Sequence, residues 1–312
     1  MSIDRPVADS RLCLATVTTD SFVPGTLVTL HSFLKHNRWF KGDIVIIHDE
    51  LAGEYRQSLL GLYDKVRFLQ VNPRLQTRVD EVTAVFPEFA PKQARFYSLE
   101  TFRVKDYDKV LFCDSDLLFR QPIQDLFDMP HALIACGDGA YYQGRGRRWG
   151  SGVDGVDPNN SRDRVLHNTF NSGLFLVDRA LLTDDHYAGL LKLVDSRIYQ
   201  TANMKLADQV VLNLYFAGRQ HLVSGAYNYL LEHRATIYER EGLGLTDARV
   251  LHFNGLDKPW LAHDVLRRAR RSPAFIKACG FWYEGYVECL EQLYLNAQGH
   301  QTSTSLTQKT TQ

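Results

Sequence analysis

No apolar run in this chain approaches the roughly 20 residues that a membrane-spanning helix requires. Nothing in it therefore reads as a transmembrane segment. The opening residues Met1-Ser2-Ile3-Asp4-Arg5-Pro6 hold no apolar stretch of the kind found in secretory leaders, so no export is expected. Net charge is also absent. Lysines and arginines number 36 and acidic residues 36, which leaves no global pull toward nucleic acid or an anionic membrane. Cysteine is scarce at five, and no pair has zinc-ligand spacing. Cys13, Cys113 and Cys136 fall in apolar strand-like runs, where a thiol behaves as a small hydrophobe. A reduced, cytoplasmic setting is the simplest reading. A Gly-Lys-Ser/Thr phosphate loop is missing, as is any internal repeat. What remains is ordinary globular composition, 45% apolar and 23% charged, in a 312-residue chain long enough for a sizeable core.

Leu12–Thr18 reads as a first strand that ends in the polar stretch Thr18-Thr19-Asp20-Ser21. A helix follows over about Pro24–His36, with Pro24 suited to a first turn and Leu27, Leu30 and Leu34 on one face. Ile44–His48 is a short continuous apolar run, typical of a strand buried on both faces. A helix at Gly53–Leu62 and a strand at Val66–Val71 complete a βαβαβ rhythm, which predicts a mostly parallel sheet of nucleotide-binding type. Lys92–Lys105 reads as a helix leading into a strand at Val110–Cys113. Later strands are expected at His131–Ala135, Phe170–Val177, His221–Val223 and Arg249–Phe253, with a helix at Leu206–Phe216. Gly137–Arg164 breaks the rhythm with many glycines, Arg145, Arg147, Arg148, Trp149 and Asp157-Pro158-Asn159-Asn160. A stretch of that kind reads as a lid or binding loop. The domain reading is a lead at 1–10, a catalytic domain at 11–262, a helical extension at 263–295 and a disordered Gln/Ser/Thr-rich tail at 296–312.

Asp114-Ser115-Asp116 closes the Val110–Cys113 run. Two carboxylates one residue apart repel, and a hard divalent cation is the usual way to neutralise them. Their place is also where ligands bind in open α/β sheets, just outside the carboxyl ends of the strands. His252 lies in a second strand-end cluster, Leu251-His252-Phe253-Asn254-Gly255-Leu256-Asp257-Lys258-Pro259-Trp260. Carboxylates, an imidazole, a glycine and a lysine are the parts needed to hold a metal–diphosphate. Lysine and metal together would stabilise a diphosphate leaving group as its charge grows. A neutral imidazole beside two carboxylates suits an octahedral ion such as manganese, or magnesium, better than tetrahedral zinc.

With Asn171-Ser172-Gly173 and Asp208-Gln209 between them, these motifs give a set that resembles glycosyltransferase family 8. That family includes glycogenin and bacterial lipopolysaccharide galactosyl- and glucosyltransferases. The resemblance runs from about Leu12 to Trp260, with four motifs in the family's order. It implies an α/β fold of the GT-A nucleotide-diphospho-sugar transferase type, a mostly parallel sheet flanked by helices, with a small helical C-terminal extension. It also implies retaining transfer of a hexose from a UDP-sugar to a hydroxyl acceptor. Asp114, Asp116 and His252 would then hold the metal. Thr18, Thr19, Phe22, Arg95, Ser115, Asn171, Gly255 and Lys258 would bind the donor. Asp138, Asn171, Asp208 and Gln209 would surround the sugar.

Each of these residues also has a plainer reading. Thr18 and Thr19 sit in a hydroxyl-rich turn, and Phe22 offers a stacking face without a hydroxyl. By spacing alone Arg95 is a solvated helix-face arginine, and Asp138 a turn residue between glycines. Asn171-Ser172-Gly173 is a small-residue strand start where the chain can approach a ligand closely. Asp208 is a first-turn acid that complements a helix dipole. An amide oxygen is a poor nucleophile, so Gln209 favours same-face attack by the acceptor with the leaving phosphate as base.

Two rival functions remain open at this stage: a catalytically weak nucleotide-sugar binding protein, and a metal-dependent phosphotransferase or hydrolase. The acceptor classes are a glycan, a lipid-linked glycan or a small polyol, with no nucleic acid partner. Arg267, Arg268, Arg270 and Arg271 precede Phe275, Ile276, Phe281, Trp282, Tyr283 and Tyr286, a mixture suited to peripheral membrane contact. Pro273 interrupts any single long helix there, and the alternative is that the aromatics close the core.

Overall fold

Seven strands form the main sheet, in the spatial order His221–Val223, Leu133–Gly137, Phe170–Asp178, Lys109–Cys113, Leu12–Val17, Asp43–His48 and Val66–Gln70. The structure, a computed structural model, describes residues 11–149, 164–200, 206–270 and 272–309. The first half of the chain alternates regularly: β1 (Leu12–Val17), α1 (Val23–His36), β2 (Asp43–His48), α2 (Gly53–Leu62), β3 (Val66–Gln70) and α3 (Pro73–Val85). A 3₁₀ segment, Pro87–Arg103, leads to β4 (Lys109–Cys113), β5 (Leu117–Phe119), α4 (Gln124–Asp128), β6 (Leu133–Gly137) and α5 (Gly139–Tyr142). A hairpin of β7 (Arg147–Trp149) and β8 (Arg164–Leu166) flanks 150–163, so the centre of the glycine-rich stretch lies outside the described residues. Then come β9 (Phe170–Asp178), α6 (Asp184–Leu193), α7 (Ser196–Tyr199), α8 (Ala207–Tyr215) and β10 (His221–Val223). β11 (Tyr229–Leu230), α9 (Arg234–Glu241), β12 (Val250–His252), α10 (Ala262–Ala269) and α11 (Pro273–Lys309) complete the chain.

Pairing in the main sheet is parallel except around β9, which runs antiparallel between β4 and β6. Helices cover both faces, which is why the strands read as continuous apolar runs. Leu12, Leu14, Ile44, Ile46 and Leu111 pack under α1 and α2. Cys13, Ala15, Val45, Ile47, Val110 and Phe112 pack on the other face with the 3₁₀ segment, α3, α6 and α8. All five cysteines are buried free thiols.

Three local expectations change. Lys92–Lys105 forms part of a 3₁₀ run, not an α-helix. Pro87 and Pro91 remove amide donors that an α ladder needs, and the consecutive buried run Phe96–Phe102 is enclosed on all sides rather than along one stripe. α3 and α6 rise from Asn72-Pro73 and Thr183-Asp184, cap signals in plain sight that the strand-centred reading passed over. Helix α11 continues to Lys309, into the segment expected to lack regular structure.

A second, three-stranded sheet, β11-β12-β5, grows from the end of β4. Its core joins Val28, Leu118, Leu251 and Phe253 to Phe275, Ala278, Cys279 and Trp282. Two of the aromatics assigned to a membrane face, Phe275 and Trp282, are therefore interior. Trp282 is 1% exposed, stacked on Tyr286 at 5.1 Å and tilted against Trp260 at 5.8 Å. The start of α11 is a wall of the domain. Trp282→Ala should cost about 3–5 kcal/mol, as for other buried tryptophans, read as a lower midpoint with an unchanged slope in urea denaturation.

Candidate active site

The sheet junction assembles the acidic corner. Asp114 and Asp116 leave the end of β4, and β12 pairs antiparallel with β5 so that His252 lies opposite Leu117, the residue after Asp116. Phe253 N–H donates to the Asp116 carbonyl at 3.0 Å and Asp114 N–H to that of Gly173 at 2.8 Å, which locks the strand ends together. His252 Nε2 then lies 3.2 Å from Asp116 Oδ1 and 3.6 Å from Asp114 Oδ2. The three groups offer ligand atoms that all fall within 4.8 Å of one another. Gly173 makes the room: a Cβ there would stand 2.3 Å from His252 Cε1 and 2.7 Å from Asp114 Oδ2.

These residues fit a divalent cation. Asp116 Oδ1 is buried and has no hydrogen-bond partner among the described residues, although it faces His252 Nε2. An orphaned carboxylate oxygen is costly, and an imidazole nitrogen and a second carboxylate beside it form a hard-cation donor set. Asp114 keeps 43% of its side chain open, so the site is reachable from the cleft.

Lys258 supplies the opposing charge. Its Nζ contacts Asp116 Oδ2 and donates to the Phe253 carbonyl at 2.9 Å. Burial works against the charge of Asp116, but Lys258 and then His252 hold its carboxyl well below the usual range. Asp114 behaves oppositely. The surrounding protein penalises its charge and Asp116 repels it, which together push it up to about 7.

The loop carrying Lys258 is braced on all sides. Its backbone N–H donates to Asp264 Oδ2 at 3.1 Å, Arg267 and Arg268 pair with Asp257, and Arg268 also pairs with Glu232. Both arginines make ion pairs, Arg267 with a side chain that stays 56% exposed and Arg268 half-buried, whereas Arg271 lies outside the described residues. Gly255 takes φ +106°, a left-handed conformation that favours glycine. Trp260 ties the loop to the end of β1, donating from Nε1 to the Ser21 carbonyl at 3.1 Å and packing edge-on against Phe22 at 5.3 Å.

A wall of buried polar groups adjoins this corner. Asp208 accepts from Ser98 Oγ at 2.7 Å, and burial raises its carboxyl above the ordinary value. Arg95 is exposed, yet its charge reaches both Asp208 and Asp114. Gln209 Oε1 accepts from Asn171 Nδ2 at 3.1 Å and its Nε2 donates to Asp138 Oδ2 at 3.0 Å. Asp138 Oδ1 accepts from the Ala140 and Tyr141 amides, both at 2.9 Å, and from Thr169 Oγ1 at 2.7 Å. Asn171 Oδ1 accepts from Gly173 N–H at 3.0 Å and from Asn228 Nδ2 at 2.9 Å. Asn228 Oδ1 lies 2.8 Å from His252 Nδ1.

Other predicted donor-binding residues make hydrogen bonds within the protein. Thr18 is buried with its hydroxyl 2.6 Å from that of Thr26, and Thr19 Oγ1 lies 3.2 Å from Ser21 Oγ. The Ser115 hydroxyl donates to the Val17 carbonyl, fastening the acidic turn to β1. Asn228, Ser98 and Thr169 escaped the sequence reading. None stands in a recognisable motif, and each matters through a partner distant in the chain.

The family model described as glycosyl transferase family 8 matches residues 13–264. The chain belongs to that family. Among its relatives, glycogenin of Neurospora crassa is 22% identical over 268 residues, which are 86% of this chain and 33% of that protein. Glycosyltransferase GlyF of Streptococcus pneumoniae is 24% identical over 246 residues, 77% of this chain and 54% of the relative. The chain thus spans a third to about half the length of these two relatives. In structure it is similar to the galactosyltransferase LgtC, solved with donor and acceptor sugar analogs, at a TM-score of 0.59 and 18% identity, with 86% of this chain and 95% of that one covered. The fold is of the GT-A type.

The raised carboxyl of Asp114 sets a pH dependence. In the metal-free protein Asp114 keeps its proton between roughly pH 4, near the unfolded value, and about 7. The native state binds more protons there, so this group's contribution to stability declines as pH rises through that window. A cation needs the ionised form. Mn²⁺ affinity measured by calorimetry should fall about tenfold per pH unit below about 7 and level off above it, and a flat profile would exclude a raised Asp114 carboxyl among the ligands.

Proposed function

We propose that this protein transfers a hexose from a UDP-sugar to a hydroxyl acceptor with retention of configuration. The supporting observation is the meeting of an acidic, imidazole- and lysine-bearing corner with a buried wall of amides and carboxylates at one end of the sheet. Asp114, Asp116 and His252 would hold manganese or magnesium, which would neutralise the donor diphosphate and stabilise it on departure. Phe22, edge-on to Trp260, offers a face to the base. Lys258 exchanges Asp116 for a phosphate oxygen and meets the growing negative charge there. Asp138, Asn171, Asp208 and Gln209 orient the sugar hydroxyls.

The same groups bear on the route of transfer. Gln209 Oε1 is occupied by Asn171 and by Ser172 N–H at 3.4 Å, and Asp208, its carboxyl raised by burial, has Oδ2 engaged by the Ser98 hydroxyl. Neither is a ready nucleophile, so the acceptor hydroxyl attacks from the face the diphosphate leaves, giving its proton to the departing phosphate. Full-length protein with Mn²⁺, a panel of UDP-sugars and mass-spectrometric detection tests the reading. Asp116→Asn and Lys258→Ala should each cut turnover by about 10²-fold or more, equal to several kcal/mol of leaving-group stabilisation. Full activity in excess chelator would overturn the metal assignment.

The acceptor is a glycan, a lipid-linked glycan or a small polyol in the cytoplasm. No helix among the described residues is long and apolar enough to cross a membrane. Peripheral contact is favoured by a stripe on α11 that remains open: Ile276, Tyr283, Val287, Leu290 and Tyr294 are 44–64% exposed. Flotation with anionic vesicles should show binding that weakens with salt and with Tyr283→Glu. A protein that stays in the soluble fraction at low salt has a soluble acceptor.

A further inference from the structure

We infer that Asn228 is a positioning residue that fixes the tautomer of His252, and that it is held in place by a one-way chain of amide hydrogen bonds running to Asp138. The inference rests on the metal reading of Asp114, Asp116 and His252 but concerns a residue outside that set.

The direction of the chain follows from groups that can act in only one sense. Asp138 Oδ2 accepts, so Gln209 must present its Nε2 to it, at 3.0 Å. Gln209 Oε1 then faces Asn171, whose Nδ2 donates at 3.1 Å. Asn171 Oδ1 is fixed independently, because the Gly173 backbone N–H, which can only donate, meets it at 3.0 Å. Asn228 must therefore offer Nδ2 to Asn171 Oδ1, at 2.9 Å. That leaves Asn228 Oδ1, an acceptor, against His252 Nδ1 at 2.8 Å. Only a protonated Nδ1 satisfies that contact. In the neutral ring the proton therefore sits on Nδ1, and the Nε2 lone pair is then directed at Asp116 and Asp114, where a cation would lie.

Burial makes the chain a constraint. Asn228 and Asp138 are at most 1% exposed, His252 is 3% and Gln209 5% exposed, so water cannot readily replace a lost partner at these four, while Asn171 between them is half-buried. A ligating histidine whose other nitrogen is held by an acceptor loses about 10- to 100-fold in metal affinity when that acceptor is removed. Here the acceptor is an amide, and its orientation is set by the same residues that line the proposed sugar pocket. The metal ligand and the pocket wall are one hydrogen-bonded unit.

The test reads the ring directly. Full-length, metal-free protein labelled with ¹⁵N-histidine is studied by long-range ¹⁵N–¹H correlation at alkaline pH, with His252 assigned by its loss in His252→Gln. The wild type should show a protonated Nδ1 and a bare Nε2. The opposite pattern overturns the inference. Asn228→Leu should lose this pattern and bind Mn²⁺ about 10- to 100-fold more weakly, by electron paramagnetic resonance of the free ion. Asn228→Asp keeps an acceptor on Nδ1 and should retain both the pattern and the affinity, which controls for a folding defect in the leucine variant. Asn171→Ala, two hydrogen bonds from the ring, should give a mixed pattern, and an unchanged one would remove the relay. Retention of pattern and affinity in Asn228→Leu would overturn the role of Asn228 while leaving the proposed function intact. A wild type with the expected ring but no sugar transfer would leave the relay standing and end the functional reading.

Discussion

The rest of the site depends on how one buried carboxylate is compensated. Asp116 is interior, and a charge there persists only if partners replace its lost hydration. Lys258 supplies a partner to Oδ2, while Oδ1 faces His252 Nε2 at 3.2 Å and has no hydrogen-bond partner among the described residues. Meeting the first demand requires the β12–α10 loop to return over the acidic turn, and the braces from Asp264, Arg267 and Arg268 hold it there. The remaining oxygen is what an ion would complete. A single charge thus explains why the loop is ordered, since the ammonium that quiets Asp116 is carried on it.

Topology makes the arrangement possible. A purely parallel sheet would bring only strand ends to this edge. Because β9 runs the other way, its beginning, Asn171-Ser172-Gly173, meets the end of β4, and a glycine can be placed under the imidazole. The second sheet then carries His252 across to the same edge through its pairing with β5. The polar wall comes from α8 and the β6–α5 turn, so five separate segments present side chains to one volume.

The strands, and the residues at their ends, were legible because each obeys a local rule. β10 was read to the residue, and β1, β2, β4 and β9 to within two. Asp114, Asp116, His252 and Lys258 could be grouped because like charges in tandem need an explanation, and the family's motif order supplies the partner. The 3₁₀ segment was read as a helix because apolar density cannot distinguish one pitch from another when every side chain is enclosed. The C-terminal aromatics were misread in part because an amphipathic stripe does not say which face is inward: Phe275 and Trp282 face the core, and Ile276 and Tyr283 do not. Asn228 was invisible because its meaning lies in two contacts, 57 and 24 positions away, and a lone asparagine between tyrosines carries no spacing to recognise.

The distance along the chain between Asp116 and Lys258, 142 positions, has a consequence for biogenesis. Six of the seven strands of the main sheet precede residue 180, whereas the cation that makes the acidic turn tolerable follows only at position 258. A nascent chain therefore carries its two carboxylates for 142 positions of synthesis before the ammonium that meets Asp116 exists, and long-range closures of this kind are slow. A polypeptide released before residue 258 keeps the acids and lacks their counter-charge, so the order in which residues are made decides how long Asp116 stays uncompensated.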